Sequence, residues 1–394
     1  MTSLLSGWRQ HSAKWLVIFI FFLPALCGAL RKSDETTENR NLAAFPAKPH
    51  GWAELIKYPG QLDLWINDHM GLRNQLIALN NRIRYRLFRQ FPTPQVLNGR
   101  GRTVLVSHGP ADREYSAVTI PCGWVQRHPS IAREQLNHFV QQLQDHGLTA
   151  NLLLVPSAPV IYPETLPRFL QKRCQRQPVP LQQIMASPEL TPLARAHIEY
   201  PLGMLMTAKA KYTIFPDTWF HWGGDGPRLV SELMENRFWP GSTSKPLVSY
   251  PVSQPSDIGH LFPGVHLSSM VPSIDFAASG VQPCMNLEPC FPELPDILGH
   301  LWATARYRNP HAPLGRLIVI SDSFGPGLAP WLSRYYQDVV LIPTNDFPLL
   351  NEEKLVRLRK YLFDTSDKRQ FLFVYHDGNV HGHRIEADAK LLFP

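Results

Sequence analysis

The chain of 394 residues holds only five cysteines, and no two of them have zinc-finger spacing, so no metal site is expected. It has no internal repeat at the periods of solenoids or propellers, which excludes a repeat array. It has no recognisable nucleic-acid module, so no nucleic-acid partner is expected, and no cofactor is expected either. Proline is the opposite case: there are 37, against an ordinary usage of roughly 5%. The prolines cluster in connections and form no low-complexity tract, which points to long ordered loops rather than disorder.

What is present is ample for a globular fold. Hydrophobic residues make up 44% of the chain, enough for a full core and a second small domain. The net charge of +7 suits an anionic partner such as a polyanionic glycan or a lipid surface, and serves solubility equally well.

Trp15 to Leu30 is uncharged and apolar, with Arg9 and Lys14 before it and Arg31 and Lys32 after. Sixteen residues rise about 24 Å as a helix, short of the ~30 Å hydrocarbon core. Cys27-Gly28-Ala29 is a mediocre signal-peptidase exit, so residues 1–32 read as an uncleaved anchor in the inner membrane in preference to a signal peptide. Either way the remainder is exported to the periplasm. Cys122, Cys174, Cys284 and Cys290 then meet an oxidising compartment. Four cysteines allow three connectivities; the short separation of Cys284 and Cys290 favours a local staple, leaving Cys122 with Cys174.

Residues 33–100 read as a tether and a helical region. Leu72, Leu76, Leu79, Ile83 and Leu87 recur at helical spacing, with Arg82, Arg84, Arg86 and Arg89 on another face. That basic face suits anionic headgroups, a polyanion, or simply solvent. From residue 101 to 394 a strand–helix rhythm takes over. Leu152–Val155, Leu317–Ile320, Val339–Ile342 and Phe371–Tyr375 are continuous apolar runs, as in strands buried on both faces. Before the first of them, Ser130 is placed to cap a helix with the stripe Leu136, Phe139, Val140 and Leu143, closing at Gly147. The fold class is therefore α/β, a mostly parallel sheet with helices on both faces, and ligands gather beyond the carboxyl ends of its strands. Residues 239–295 are rich in Pro, Ser and Gly and read as an insertion outside the sheet.

One buried run ends in Ser321-Asp322-Ser323-Phe324 and enters a helix through Gly325-Pro326. A serine at that junction is a candidate nucleophile for acyl transfer; the plainer reading is a helix cap. A serine hydroxyl needs a base, and the best-placed is His221, in Tyr212-Thr-Ile-Phe-Pro-Asp-Thr-Trp-Phe-His-Trp222. The plainer reading of His221 is a structural residue packed beside Trp222.

The two windows together resemble the paired Asp-x-His-Trp and Gly-Asp-Ser-Phe signatures of the alginate O-acetyltransferase family, periplasmic polysaccharide O-acetylation proteins with an SGNH-hydrolase-like domain. Further patches agree in order over about residues 40 to 345. Asn67-Asp68-His69-Met70-Gly71-Leu72-Arg73-Asn74-Gln75-Leu76-Ile77 resembles the family's N-terminal helix, Val96-Leu97-Asn98-Gly99-Arg100 the hairpin after it, and Val155 to Pro167 its Val-Pro-x-Lys-x-x-Ile-Tyr-Pro-Glu-x-Leu-Pro segment. The resemblance implies an SGNH-like, flavodoxin-like sheet. It also implies acetyl transfer to hydroxyls of an exported polysaccharide through acylated Ser323, and a membrane-bound acyltransferase partner that supplies the acetyl groups. Two alternatives stand beside it: a carbohydrate esterase, which shares the acyl-enzyme, and a catalytically impaired homologue that binds glycan or scaffolds a secretion complex.

Three positions depart from the family pattern. Ser321 stands in place of glycine, Ala158 in place of lysine, and Trp219 in place of the aspartate two residues before the histidine. Asp217 is the nearest upstream acid. On an extended strand it would lie about 13 Å from His221, beyond hydrogen-bond reach. Asp217 therefore completes a Ser323–His221–Asp217 triad only if residues 217–221 turn. Asp225, before Gly226-Pro227, reads as a helix N-cap.

Overall fold

A computed structural model of the chain describes residues 14–16, 18–19, 43–69, 72–109, 113–123, 129–176, 178–242, 244–285, 288–363 and 369–394. The apolar segment 15–30, expected to be an anchor, lies mostly outside the described residues. Among the described residues no helix is long and apolar enough to cross a membrane. The chain divides into two compact units, residues 1–93 with 258–267, and residues 94–257 with 268–394.

In the first unit, helices α1 (Trp52–His69) and α2 (Arg73–Phe88) follow one another. The loop 258–267 packs on α2: Asn81 Nδ2 donates to the carbonyl of Pro263 at 3.0 Å. Gly264 comes so close that a Cβ there would lie 2.2 Å from the Ala78 carbonyl oxygen, and its φ is +87°. Only glycine satisfies both conditions.

The second unit is the sheet. Its strands are β1 (Val96–Asn98), β2 (Thr103–Leu105), β3 (Ala150–Val155), β4 (Ile198–Glu199), β5 (Ser249–Pro255), β6 (Ser268–Ile274), β7 (Gln282–Met285), β8 (Ala305–Arg308), β9 (Leu314–Ser321), β10 (Tyr336–Pro343) and β11 (Arg369–His376). Seven of them form one sheet in the order β4-β3-β11-β9-β10-β8-β7. Pairings from β4 through β10 are parallel, and β8 is antiparallel to both of its neighbours. The sheet is mixed and mostly parallel, with helices on both faces, as expected. All four apolar runs fall inside its central strands.

Those runs are apolar throughout because each face of the sheet is covered. Leu153, Val155, Leu317, Val319, Val339, Leu341, Leu372 and Val374 face one core. There they meet Val230 and Met234 of α4 (Asp225–Phe238), and Leu328 and Leu332 of α5 (Gly325–Leu332). Leu152, Leu154, Ile318, Ile320, Val340, Ile342, Phe371 and Phe373 face the other. Their partners are Leu136, Phe139, Val140 and Leu143 of α3 (Pro129–Asp145), with Leu358 and Leu362 of α6 (Glu352–Phe363) and Ile385 and Ala389 of α7 (Arg384–Leu392). Each such side chain contributes roughly 1.5–3 kcal/mol by leaving water. Helix α3 ends where expected, with Gly147 at φ +66° and the Leu148 N–H returning to the Leu143 carbonyl at 3.0 Å. Ser130, however, is a residue of the first turn, because the helix already includes Pro129.

Two expectations need correction. Residues 239–295 are not wholly outside the sheet. Residues 249–274 make the separate hairpin β5–β6, but Gln282–Met285 adds an edge strand to β8. Asp225 is the first residue of α4 rather than its cap, a position held by Gly224, and its carboxylate pairs with Arg228 at 3.1 Å. The two cysteine pairs are as expected, Cys122–Cys174 and Cys284–Cys290.

Candidate active site

Parallel strands β3, β9 and β11 end on the same edge of the sheet, which brings Ser157, Ser321–Ser323 and His376–Asn379 together beyond their carboxyl ends. Ser323 sits in the turn between β9 and α5. The cap position of α5 belongs to Phe324, and no side chain caps that helix. Ser323 itself lies one residue before the cap position.

Asp322 shapes the turn. Its Oδ1 accepts from the Phe324 N–H at 2.8 Å, and its Oδ2 accepts from the His376 N–H at 2.8 Å and from Asn379 Nδ2 at 2.7 Å. Oδ2 also faces His376 Nδ1 at 2.8 Å. Burial opposes the charge on Asp322, yet these donors and the His376 imidazolium hold its pKa below the ordinary 3.8. Burial likewise opposes the charge on His376, but the hydrogen bond and charge of Asp322 prevail and raise it above 6.5. The His376 ring stacks on Phe324, with centroids 4.8 Å apart. The hydrogen-bonded Asp322–His376 pair thus braces the serine turn.

Ser321 fits in the turn because residue 325 is glycine. A Cβ on Gly325 would lie 1.9 Å from Ser321 Oγ. That hydroxyl is buried and has no hydrogen-bond partner.

His221 reaches the same place from the opposite side of the sequence. Its ring lies 5.2 Å from that of Phe324, centroid to centroid, and Trp222 Nε1 donates to the Phe324 carbonyl at 2.8 Å. The two windows thus meet at the residue next to Ser323. The partner of His221 is Asp257, whose Oδ2 lies 2.7 Å from Nδ1. The carboxylate is fixed by two backbone donors as well, the Phe220 N–H to Oδ1 and the His221 N–H to Oδ2, both at 2.9 Å. With Nδ1–H donated to Asp257, a neutral His221 carries its lone pair on Nε2. Nε2 is buried and has no hydrogen-bond partner, Ser323 Oγ included. Apo sites often show such contacts open until substrate tightens them.

Asp217 is elsewhere. Residues 216–219 do turn, with the Trp219 N–H donating to the Pro216 carbonyl at 3.1 Å. The turn directs the Asp217 carboxylate outward to Arg102 at 3.0 Å, and its side chain is 66% exposed. Arg102 also donates to the carbonyls of Phe215 and Pro216 at 3.1 and 2.9 Å. Asp217 and Arg102 therefore anchor the approach to His221, while Asp257 contacts the imidazole.

Asp257 was not found from the sequence because it lies 36 residues downstream, in the segment read as an insertion. Hairpin β5–β6 delivers it. Trp219 Nε1 donates to the Pro255 carbonyl at 2.9 Å, Ser256 Oγ donates to the Thr218 carbonyl at 2.5 Å, and the Thr218 N–H donates to Ser269 Oγ at 3.2 Å. The one available signal was that Asp257 is the sole acidic residue between Glu235 and Asp275. Trp219 thus ties down the end of the strand that leads to Asp257. No group of side chains able to hold a metal ion is found among the described residues.

No family model matches the chain, and no curated protein sequence matches it either. Among solved structures it is similar to Bacillus cereus PatB1 with a sulfonyl adduct, at 14% identity and a TM-score of 0.46, over 74% of this chain and 97% of that one. It is similar to a DHHW family protein from Eubacterium siraeum at 12% identity and a TM-score of 0.46, over 75% and 98% of the two chains. A third likeness is to the O-acetyltransferase domain of Pseudomonas putida AlgJ, at 14% identity and a TM-score of 0.39, over 74% and 93%. Scores this low decide neither the fold nor the chemistry.

Proposed function

We propose that the protein O-acetylates an exported polysaccharide in the periplasm through an acyl-enzyme on Ser323. The observation that carries this reading is the His221–Asp257 pair, with a bare, buried Nε2 beside a strand-end serine turn. In the reaction His221 Nε2 takes the Ser323 hydroxyl proton as Oγ attacks the donor's acetyl carbonyl, and returns a proton to the departing group. A sugar hydroxyl then gives its proton to the same nitrogen and takes the acetyl group, releasing Ser323. Asp257 holds the tautomer and stabilises the imidazolium in each half-reaction.

Several features support the setting. Two disulfides suit an oxidising compartment. The sequence resemblance supports transfer to glycan and a membrane-bound acyltransferase as acetyl source, and the uncharged run at residues 15–30 between basic flanks supports an inner-membrane anchor. A second reading, a glycan-binding or scaffolding homologue, draws on the open Ser323–His221 contact and on Ser321 in place of glycine. An activated acetyl ester supplied with and without soluble glycans separates the readings. Transfer gives ester on sugar, an esterase gives acetate alone, and a scaffold gives neither above the Ser323→Ala background.

A further inference from the structure

Helix α2 packs by its polar side and turns its leucines to solvent. At 100° per residue, Ala78, Asn81 and Tyr85 share one face, and Ala78 and Asn81 are the residues on which loop 258–267 closes. Leu76, Leu79, Ile83 and Leu87 form a stripe on the opposite face, with side chains 45–70% exposed. A stripe of this kind normally faces a core. Arg82 flanks it on one side and Arg84 on the other, Arg86 sits at its margin, and all three are exposed. The helix contains no aspartate or glutamate. In α1, Trp52, Leu55, Ile56 and Ile66 are likewise exposed and share a face.

We propose that α2 lies in the headgroup region of an anionic bilayer, with Leu76, Leu79, Ile83 and Leu87 among the acyl chains and Arg82, Arg84 and Arg86 at lipid phosphates. Arginines beside an outward apolar stripe are the pattern of an interfacial helix, since their stems lie along the apolar boundary while their heads reach the phosphates. A second copy fits poorly, because stripe-to-stripe pairing brings arginines together with no acid on the helix to meet them. A polyanionic glycan accounts for the arginines and leaves the stripe without a role. The uncharged run at residues 15–30 is a separate pointer to a membrane in the same part of the chain.

The test uses the full chain with Cys27→Ser, in which the other four cysteines are held in disulfides. Ile83→Cys carries an environment-sensitive fluorophore, with Val356→Cys, exposed on α6, as the reference position. Protein is mixed with phosphatidylcholine vesicles with or without phosphatidylglycerol and with doxyl-labelled lipid as quencher. The expected result is a blue-shifted, quenched label at position 83 alone. The readout is insertion of the label, since the run at residues 15–30 can bind the chain to vesicles by itself. Phosphatidylglycerol should raise the inserted fraction of label roughly tenfold or more, and both Arg82→Glu/Arg84→Glu/Arg86→Glu and Leu79→Gln/Leu87→Gln should return the label to water. A label at 83 that stays in water with the anionic vesicles overturns the proposal. So does a shift without vesicles that grows with protein concentration, which would assign the stripe to a second copy, or equal insertion of the position-83 label into neutral vesicles.

Discussion

Asp257→Asn changes one charge at nearly constant volume, and the geometry fixes its consequence. The carboxylate accepts three hydrogen bonds, from two backbone N–H groups and from His221 Nδ1. An asparagine has one acceptor oxygen, which serves either the Phe220 N–H at the Oδ1 place or the His221 N–H at the Oδ2 place, never both. With the oxygen toward Phe220, the amide faces Nδ1 as a donor. The imidazole must answer with a lone pair on Nδ1 and its proton on Nε2, the tautomer that cannot accept from serine. In serine proteases the equivalent change costs about 10⁴ in kcat, so a loss of 10³–10⁴ is the expected order here. The structure also loses charge-assisted bonds and leaves the mutant amide against an N–H, a cost of about 1–3 kcal/mol. Asp217→Asn is the paired control. It removes a largely exposed partner of Arg102, costs at most about 1 kcal/mol, and changes turnover less than threefold, roughly. The assay is acetyl-ester turnover by both variants, with folding followed by thermal melting. If Asp257→Asn turns over as the wild type does, or Asp217→Asn matches its loss, the assignment of the acid is wrong.

Ser321→Ala removes a buried hydroxyl with no partner and should raise stability by about 1 kcal/mol in denaturant titration, with Gly325 left in place. The Asp322–His376 pair predicts a window of pH-dependent stability. Asp322, depressed below 3.8, adds stability present above that value and lost as pH falls through its folded pKa. His376, raised above 6.5, adds stability present below that value and lost as pH climbs through its folded pKa. Thermal melts across pH should therefore decline on both sides, and His376→Gln should flatten the alkaline limb. The two disulfides close loops of different length, with sequence separations of 52 and 6. Loop entropy predicts losses of about 4 and 2 kcal/mol for Cys122→Ser/Cys174→Ser and Cys284→Ser/Cys290→Ser respectively, read from urea midpoints.

Legibility followed burial. Strands β3, β9, β10 and β11 could be read because covering both faces of a sheet demands uninterrupted apolar residues. The same cause placed Ser323 and His376 at strand ends. Two-residue β4, the edge strand β7 and its neighbour β8 carry no such run: Gln282-Pro-Cys-Met285 is mostly exposed on an edge, and proline and cysteine there read as loop. His221 was legible as a candidate base because an apolar stretch breaks at it and two signatures agreed. The acid was not, because its identity depends on tertiary pairing. Strand arithmetic correctly excluded an extended Asp217–His221 contact, but which carboxylate replaces it is decided by hairpin β5–β6 docking on residues 218–221. Leu76, Leu79, Ile83 and Leu87 mark the other limit. Helical periodicity gave the helix but not the side on which it packs, since a small buried contact through Asn81 and Gly264 leaves no periodic trace.

The most direct measurement of the central claim is rapid-quench peptide mass spectrometry of the full chain after mixing with an activated acetyl ester. An acetyl group should appear on the peptide containing Ser323 and be absent from Ser323→Ala. It should form far more slowly in His221→Ala and Asp257→Asn. An acetyl group on another residue, or equal labelling of Ser323 in wild type and His221→Ala, would contradict the account.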